Sequence, residues 1–239
     1  MKKNIPNAIT CAHLFTGCTG IVFAFHGRLD YAAYAVFTAA FFDFLDGMAA
    51  RLLKVHSDLG KQLDSLADVV SFGVLPSVII YHLFYLPNED SNNLTWNYFG
   101  AFFIAVFSAL RLAKFNIDTR QSNSFIGLPT PASAMFSASF PLILLQGNAS
   151  FTGIILSHWF LYGFIAINCW LLVAELPLLS LKFKNLNFSE NIYRYVLLFF
   201  AAVCLVIFKF AAIPVILFFY ILLSIIQIRN TKNEVSSRN

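Results

Sequence analysis

An all-α bundle embedded in a membrane is the fold this sequence predicts, and three observations carry the prediction. Apolar residues fill 59% of the 239 positions and charged residues only 12%, with mean hydropathy +0.72, which leaves too little polar surface for a water-soluble globule. The apolar residues come in stretches close to the ~20 residues a helix needs to cross a bilayer core of about 30 Å. Lys and Arg gather in alternate connections, as the positive-inside rule requires. The net charge of +4 is therefore mostly a topology signal plus attraction to anionic lipid head groups. A nucleic-acid-binding reading has no basic soluble domain to rest on.

By length the chain divides into about eight spans (six to eight), at roughly 8–26, 31–53, 60–86, 96–113, 129–146, 152–176, 191–208 and 211–228. The first follows Lys2 and Lys3 but has no small-residue cleavage site behind it, so it reads as a span and not a signal peptide. Gly27-Arg28-Leu29-Asp30 turns the chain into the second span. The third ends before a connection carrying Glu89 and Asp90, and the fourth ends in Arg111-Leu112-Ala113-Lys114. Pro129 and Pro131 suit the first turn of the fifth, with Thr130 as a cap. Glu175, late in the sixth, is the one other intramembrane acid and has no assigned role. Residues 192–228 form one apolar run broken only by Arg194, Lys209 and Pro214, which reads as a tight hairpin supplying the last two spans. A single re-entrant segment is the alternative.

With both termini cytoplasmic, every Lys and Arg except Arg28 and Lys209 lies inside, including Arg120, Lys182 and Lys184. The whole of 1–228 is one membrane domain, and the polar tail 229–239 is expected to be disordered. Cys11, Cys18, Cys169 and Cys204 form no C-x-x-C pair and read as small buried hydrophobes. His26, His56, His82 and His158 show no metal-ligand spacing.

Chemistry concentrates in Asp43-x2-Asp46-Gly47-x2-Ala50-Arg51-x8-Gly60-x3-Asp64-x3-Asp68. An ionised carboxylate at the centre of a spanning helix costs roughly 2.5 to 3.5 kcal/mol on insertion scales, so four of them call for a neutralising partner. A divalent cation meets that need. Asp43 and Asp46 are three apart and Asp64 and Asp68 four apart, so each pair projects from one helix face, and a hairpin puts all four around one volume. Carboxylates are hard ligands suited to Mg²⁺, Mn²⁺ or Ca²⁺, and the sequence shows no Cys or His cluster for zinc or copper. Gly47, Ala50 and Gly60 leave room for a nucleotide or diphosphate to approach the backbone. At 1.5 Å per residue Asp46 lies about 10 Å above the cytoplasmic end of its span, so the site opens toward the cytoplasm.

This pattern matches at every fixed position the signature of the CDP-alcohol phosphatidyltransferase family, which the chain resembles over most of residues 4–135. The resemblance implies a membrane enzyme that takes a CDP-linked lipid such as CDP-diacylglycerol, displaces CMP and joins the phosphatidyl group to an alcohol. It implies that Asp43, Asp46, Asp64 and Asp68 hold one or two Mg²⁺ or Mn²⁺ ions, that Asp68 is also the general base, and that Gly47, Ala50 and Gly60 border the CDP-lipid. Arg51 at the mouth would pair with a phosphate or serve only as an anchor.

Two further segments, Arg111-Leu112-Ala113-Lys114-Phe115-Asn116 and Phe125-x-Gly127-Leu128-Pro129-Thr130-Pro131-Ala132, resemble those marking the serine-using branch of the family, as does Asn4-Ile5-Pro6-Asn7-Ala8-Ile9-Thr10. L-serine is thus the implied acceptor, with Arg111 and Lys114 placed to bind it or to act as interfacial anchors. Lys114, where arginine is more usual, and His13, where asparagine is common, depart from the pattern. The resemblance also implies a homodimer. Rival readings are a sister enzyme using glycerol 3-phosphate, inositol phosphate or choline, and a cation transporter with its acids on an ion path.

Overall fold

The computed structural model describes residues 4–55, 57–87, 95–118, 125–179, 187 and 191–236. His56, Glu89, Asp90, Arg120, Lys182 and Lys184 fall outside them. Helices dominate throughout: α1 (Asn4–Phe25), α2 (Leu29–Leu53), α3 (Asp58–Asp68), α4 (Leu75–Tyr85), α5 (Phe103–Ile117), α6 (Thr130–Leu144), α7 (Ala149–Ile155), α8 (His158–Val173), α9 (Ile192–Phe208) and α10 (Ala212–Ser236). A π-helical turn, Val69–Val74, joins α3 to α4 without a break, and a 3₁₀ segment, Trp96–Phe102, leads into α5.

Four apolar stretches are long enough to cross a bilayer: Asn4–Phe25, Asp58–Tyr85, Trp96–Ile117 and Ile192–Gln227. A fifth arises if α7 and α8, bent by 64° relative to each other, are taken together. The expected sixth span is thus broken, with Ser157 in extended conformation starting α8. Of the other expected spans, α2 is long enough but carries Asp30, Asp43, Asp46 and Arg51, and α6 has only 15 residues. At 1.5 Å per residue α6 is about 22 Å long. It is nevertheless buried along most of its length, between α2, α4 and α10.

The last apolar run doubles back. Lys209 breaks it at φ 51°, and the rings of Phe200 and Phe219 meet with centroids 3.9 Å apart, tilted by 31°. In a straight helix those two residues would be about 28 Å apart. Beyond Ile228, α10 continues to Ser236, so the expected disordered tail is helical over that part; no Pro or Gly interrupts it. Cys169 and Cys204 are buried as expected, but Cys11 and Cys18 lie on the exposed face of α1. Glu175 sits past the end of α8 rather than inside it.

Short polar devices fix the connections. Gly27, at φ 72°, turns α1 toward α2, and Arg28 pairs with Asp30 at 3.1 Å while lying over the Tyr31 ring. Lys54, at φ 51°, closes α2, and the Val55 N–H bonds back to the Ala50 carbonyl. Ser57 then caps α3, its Oγ accepting from the Gly60 N–H at 3.0 Å, which starts this helix at Asp58. The segment before α6 pairs Phe125–Ile126 with Pro177–Leu178, antiparallel. Gly127 there has φ 76°, and a Cβ on it would meet the Leu172 carbonyl at 2.9 Å, so glycine is needed on both counts.

The main core runs through α1, α2, α4, α6 and α8 and contains Ala32, Ala39, Phe72, Ile79, Phe84, Phe140 and Leu161. Its contacts with α1 are made by small residues. A Cβ on Gly17 would overlap the Ser71 side chain and sit 3.0 Å from the Ser71 Cα. Large apolar side chains such as Phe15, Phe41, Phe44, Phe199 and Trp159 point outward. That distribution suits a lipid surround, where helices associate by close packing and not by escape from water.

Candidate active site

α1, α2 and α3 meet at one end of the bundle, and the acids converge there. One oxygen from each of Asp43, Asp46 and Asp64 and one ring nitrogen of His13 all lie within 4.8 Å of one another. Three of the four expected acids are thus in a single cluster. Asp68, one turn further along α3, is not in that group, but it is buried and has Asp43, Asp64 and Arg111 as electrostatic neighbours.

The helix periodicities explain the convergence. Asp43 and Asp46 share a face of α2, and Asp64 and Asp68 share a face of α3. On α1 the buried positions Pro6, Thr10, His13, Gly17, Gly20 and Ala24 form one stripe at three- and four-residue spacing. That stripe delivers Thr10 and His13 to the acids. The Thr10 hydroxyl is 2.8 Å from Asp46 Oδ2 and 3.0 Å from the Pro6 carbonyl, either of which can accept its proton.

Much of the cluster's hydrogen-bonding capacity is unused. Asp64 Oδ1, Asp68 Oδ1 and both ring nitrogens of His13 are buried and have no partner among the described residues. Buried polar atoms left unpaired are costly, and buried charges more so. A hard divalent cation fits this donor set: the carboxylate oxygens lie close together, and Asp64 Oδ1 and Asp68 Oδ1 are left without a partner among the described residues. His13 lies among the carboxylates of this cluster, a neighbour that the spacing of the acids alone does not reveal. Its 30-residue separation from Asp43 hides the relation in the sequence.

Beside the cluster opens a cavity of about 490 Å³. It is lined by Pro6, Asn7, Thr10, Asp46, Gly47, Ala50, Val55, Ser57, Asp58, Gly60, Lys61 and Asp64. This is within the usual range for small-molecule sites. The expected small residues Gly47, Ala50 and Gly60 are all in its wall. A Cβ on Gly47 would meet nothing within 4 Å, so packing inside the protein does not explain that glycine. At Gly60 a Cβ would crowd Ser57 Oγ at 2.9 Å and Asn7 Oδ1 at 3.0 Å.

The cations separate into two kinds. Arg111 is buried, 7% exposed, with one Nη donating to Thr130 Oγ1 at 3.4 Å and its Nε without a partner among the described residues. Asp68 and Tyr220 are its electrostatic neighbours. Lys114 and Arg51 are exposed, and Arg51 is not among the cavity's lining residues. Lys61, which sequence reading treats only as a topology signal, lines the cavity and donates to the Asn116 carbonyl at 3.2 Å. Asn116 in turn donates to Ser65 Oγ at 2.8 Å, tying α5 to α3 beside the site.

A family model for CDP-alcohol phosphatidyltransferase matches residues 3–176. The chain is 34% identical over 211 residues to the CDP-diacylglycerol–serine O-phosphatidyltransferase of Helicobacter pylori, covering 83% of this chain and 80% of that one. It is 38% identical over 136 residues to the enzyme of the same name from Bacillus subtilis, covering 55% and 71%. An archaetidylserine synthase of Methanothermobacter thermautotrophicus is 33% identical over 144 residues, 58% of each chain. These matches set the transporter reading aside.

Proposed function

Because the chain belongs to the CDP-alcohol phosphatidyltransferase family, we propose that it transfers the phosphatidyl group of CDP-diacylglycerol to the hydroxyl of L-serine, giving phosphatidylserine and CMP. The observation that carries the reading is the buried acid cluster beside a nucleotide-sized cavity walled by Gly47, Ala50 and Gly60. The serine assignment draws its support from the serine phosphatidyltransferases among its relatives and from the placement of Arg111.

In this reading the cytidine nucleotide lies in the cavity, its close approach allowed by the bare backbone at Gly47. Lys61 at the rim pairs with phosphate. Asp43, Asp46 and Asp64 would hold Mg²⁺ or Mn²⁺, which when bound would supply the positive charge that offsets the diphosphate. Asp68 accepts the proton of the serine hydroxyl as its oxygen bonds to the phosphatidyl phosphorus and the bond to CMP breaks. Arg111, aimed at Asp68's side of the site and steadied by Thr130, receives the serine carboxylate. Exposed Arg51 and Lys114 pair with lipid phosphates at the mouth.

The same reading counts α2 and α6 as spans beside the apolar stretches and divides Ile192–Gln227 at Lys209, giving eight, with both termini and the site on the cytoplasmic side. The bond from Lys61 to Asn116 supports this by bringing two Lys-bearing segments to the site's end of the bundle.

The test is acceptor choice. Purified protein with CDP-diacylglycerol and Mg²⁺ or Mn²⁺ should release CMP with L-serine at least ~10²-fold faster than with glycerol 3-phosphate, inositol, inositol phosphate, choline or ethanolamine, because a site bonded to serine's polar groups leaves its own unpaired with the others. Chelation should stop the reaction. A faster rate with another acceptor would keep the phosphatidyl transfer and remove the serine assignment.

A further inference from the structure

From this geometry we infer that His13 is a nitrogen ligand of the metal centre, completing a three-carboxylate, one-imidazole site that favours Mn²⁺ over Mg²⁺. The inference rests on the metal-assisted reading of the acid cluster and goes beyond it by adding a ligand and a metal preference.

Three observations single out this histidine. Its side chain is fully buried, at 0% exposure, so no water from bulk solvent satisfies it. Both ring nitrogens lack a partner among the described residues, although a neutral imidazole carries one donor and one acceptor. One of those nitrogens is within 4.8 Å of oxygens from Asp43, Asp46 and Asp64. A packing role accounts for the ring's contact with Phe72, at 5.0 Å between centroids, but not for polar atoms aimed at three acids. The nearby Ser71 hydroxyl donates to the His13 backbone carbonyl and leaves the ring unbonded.

The other described histidines behave differently. His26 bonds the Val22 carbonyl, and His158 bonds Tyr98 and the Phe84 carbonyl. His82 also has an unpartnered Nε2, but no acid cluster among the described residues includes it. Among the described histidines, only His13 combines burial, unpartnered nitrogens and acidic neighbours.

The spread of donors also fits. Two ligands at about 2.2 Å from one ion stand at most about 4.4 Å apart, so closing the cluster around a cation takes only a small contraction. Oxygen-only sites suit Mg²⁺, whereas an imidazole shifts preference along the first transition row, starting at Mn²⁺. The neighbouring Gly17 lets the π-helical turn approach α1 closely, which fixes the height of His13 against α2 and α3.

The experiment is electron spin-echo spectroscopy of the full-length protein in detergent with substoichiometric Mn²⁺. Wild type should show ¹⁴N modulation of directly bound imidazole, and growth on ¹⁵N-histidine should replace that pattern, a result that needs no variant. In His13→Asn the modulation should vanish, Mn²⁺ affinity should fall at least about tenfold, and Mg²⁺ affinity should change by no more than about threefold. Mn²⁺ bound with no histidine nitrogen coupling would overturn the inference while leaving the carboxylate metal site intact. Failure of the wild type to bind Mn²⁺ at all would overturn both.

Discussion

Asp68 differs from the other three acids in its company. Asp43, Asp46 and Asp64 converge with His13, while Asp68 stands one helical turn along, buried and facing Arg111. A carboxylate beside the proposed metal site but outside its closest donors would be free to take a proton. Asp68→Asn should therefore lower turnover by about 10² to 10⁴-fold while Mn²⁺ and cytidine nucleotide still bind, whereas Asp43→Asn should lose binding as well. Calorimetric binding beside a CMP-release assay checks this, and near-normal turnover in Asp68→Asn would remove it from the mechanism. The acids were legible in the sequence because their spacing is local to two helices. Thr10 and His13 were not, because they reach the acids across 30 or more residues of chain and on a stripe of small residues that carries little periodic contrast. The signal available was that stripe: polar residues at buried, three- and four-residue spacing on an otherwise apolar helix. Arg111 and Lys114, equivalent on paper, part company only when burial is known.

Among the elements, the contact of α1 with the π-helical turn and the start of α4 is held close by two glycines. Gly17 faces Ser71 with no space for a side chain, and Gly20 is similarly crowded by Leu75 and Ala35. Gly17→Val should destabilise the protein by about 1 to 3 kcal/mol through overpacking, and should weaken metal binding as well, because it pushes apart the helices bearing His13 and the acids. Thermal unfolding with and without Mn²⁺ would show it; an unchanged midpoint in both would mean the interface yields elsewhere. The π turn itself has no sequence signature, since an inserted residue in a buried helix leaves the apolar pattern nearly unaltered. The break between α7 and α8 was hidden for the same reason: both pieces are apolar. Where polar punctuation exists, at Gly27, Lys54 and Ser57, the boundaries in the sequence and in the structure agree within a few residues.

At the scale of the whole molecule, the helical class and the membrane character follow from composition, whereas the arrangement of helices does not. Hydropathy reports that a segment avoids water but not which neighbour it packs against, so the central place of the short α6 and the fold-back of α9 on α10 emerge only in three dimensions. The last of these matters near the site: Tyr220 of α10 donates to the Leu179 carbonyl at 2.9 Å and neighbours Arg111, although residues 177–239 lie outside the matched family region. The cavity beside the acids has a polar rim of Ser57, Asp58 and Lys61, yet the flanks of its helices carry exposed Phe15, Phe44 and Leu52. In the proposed reaction the two reactants would therefore arrive through different media, the amino acid by three-dimensional diffusion and the liponucleotide by sliding in two. The rate should follow the mole fraction of CDP-diacylglycerol in a mixed micelle and not its amount per litre. Adding inert detergent at fixed lipid and serine should slow the enzyme in proportion to that dilution, while doubling micelles of constant makeup at saturating interface should leave the rate unchanged.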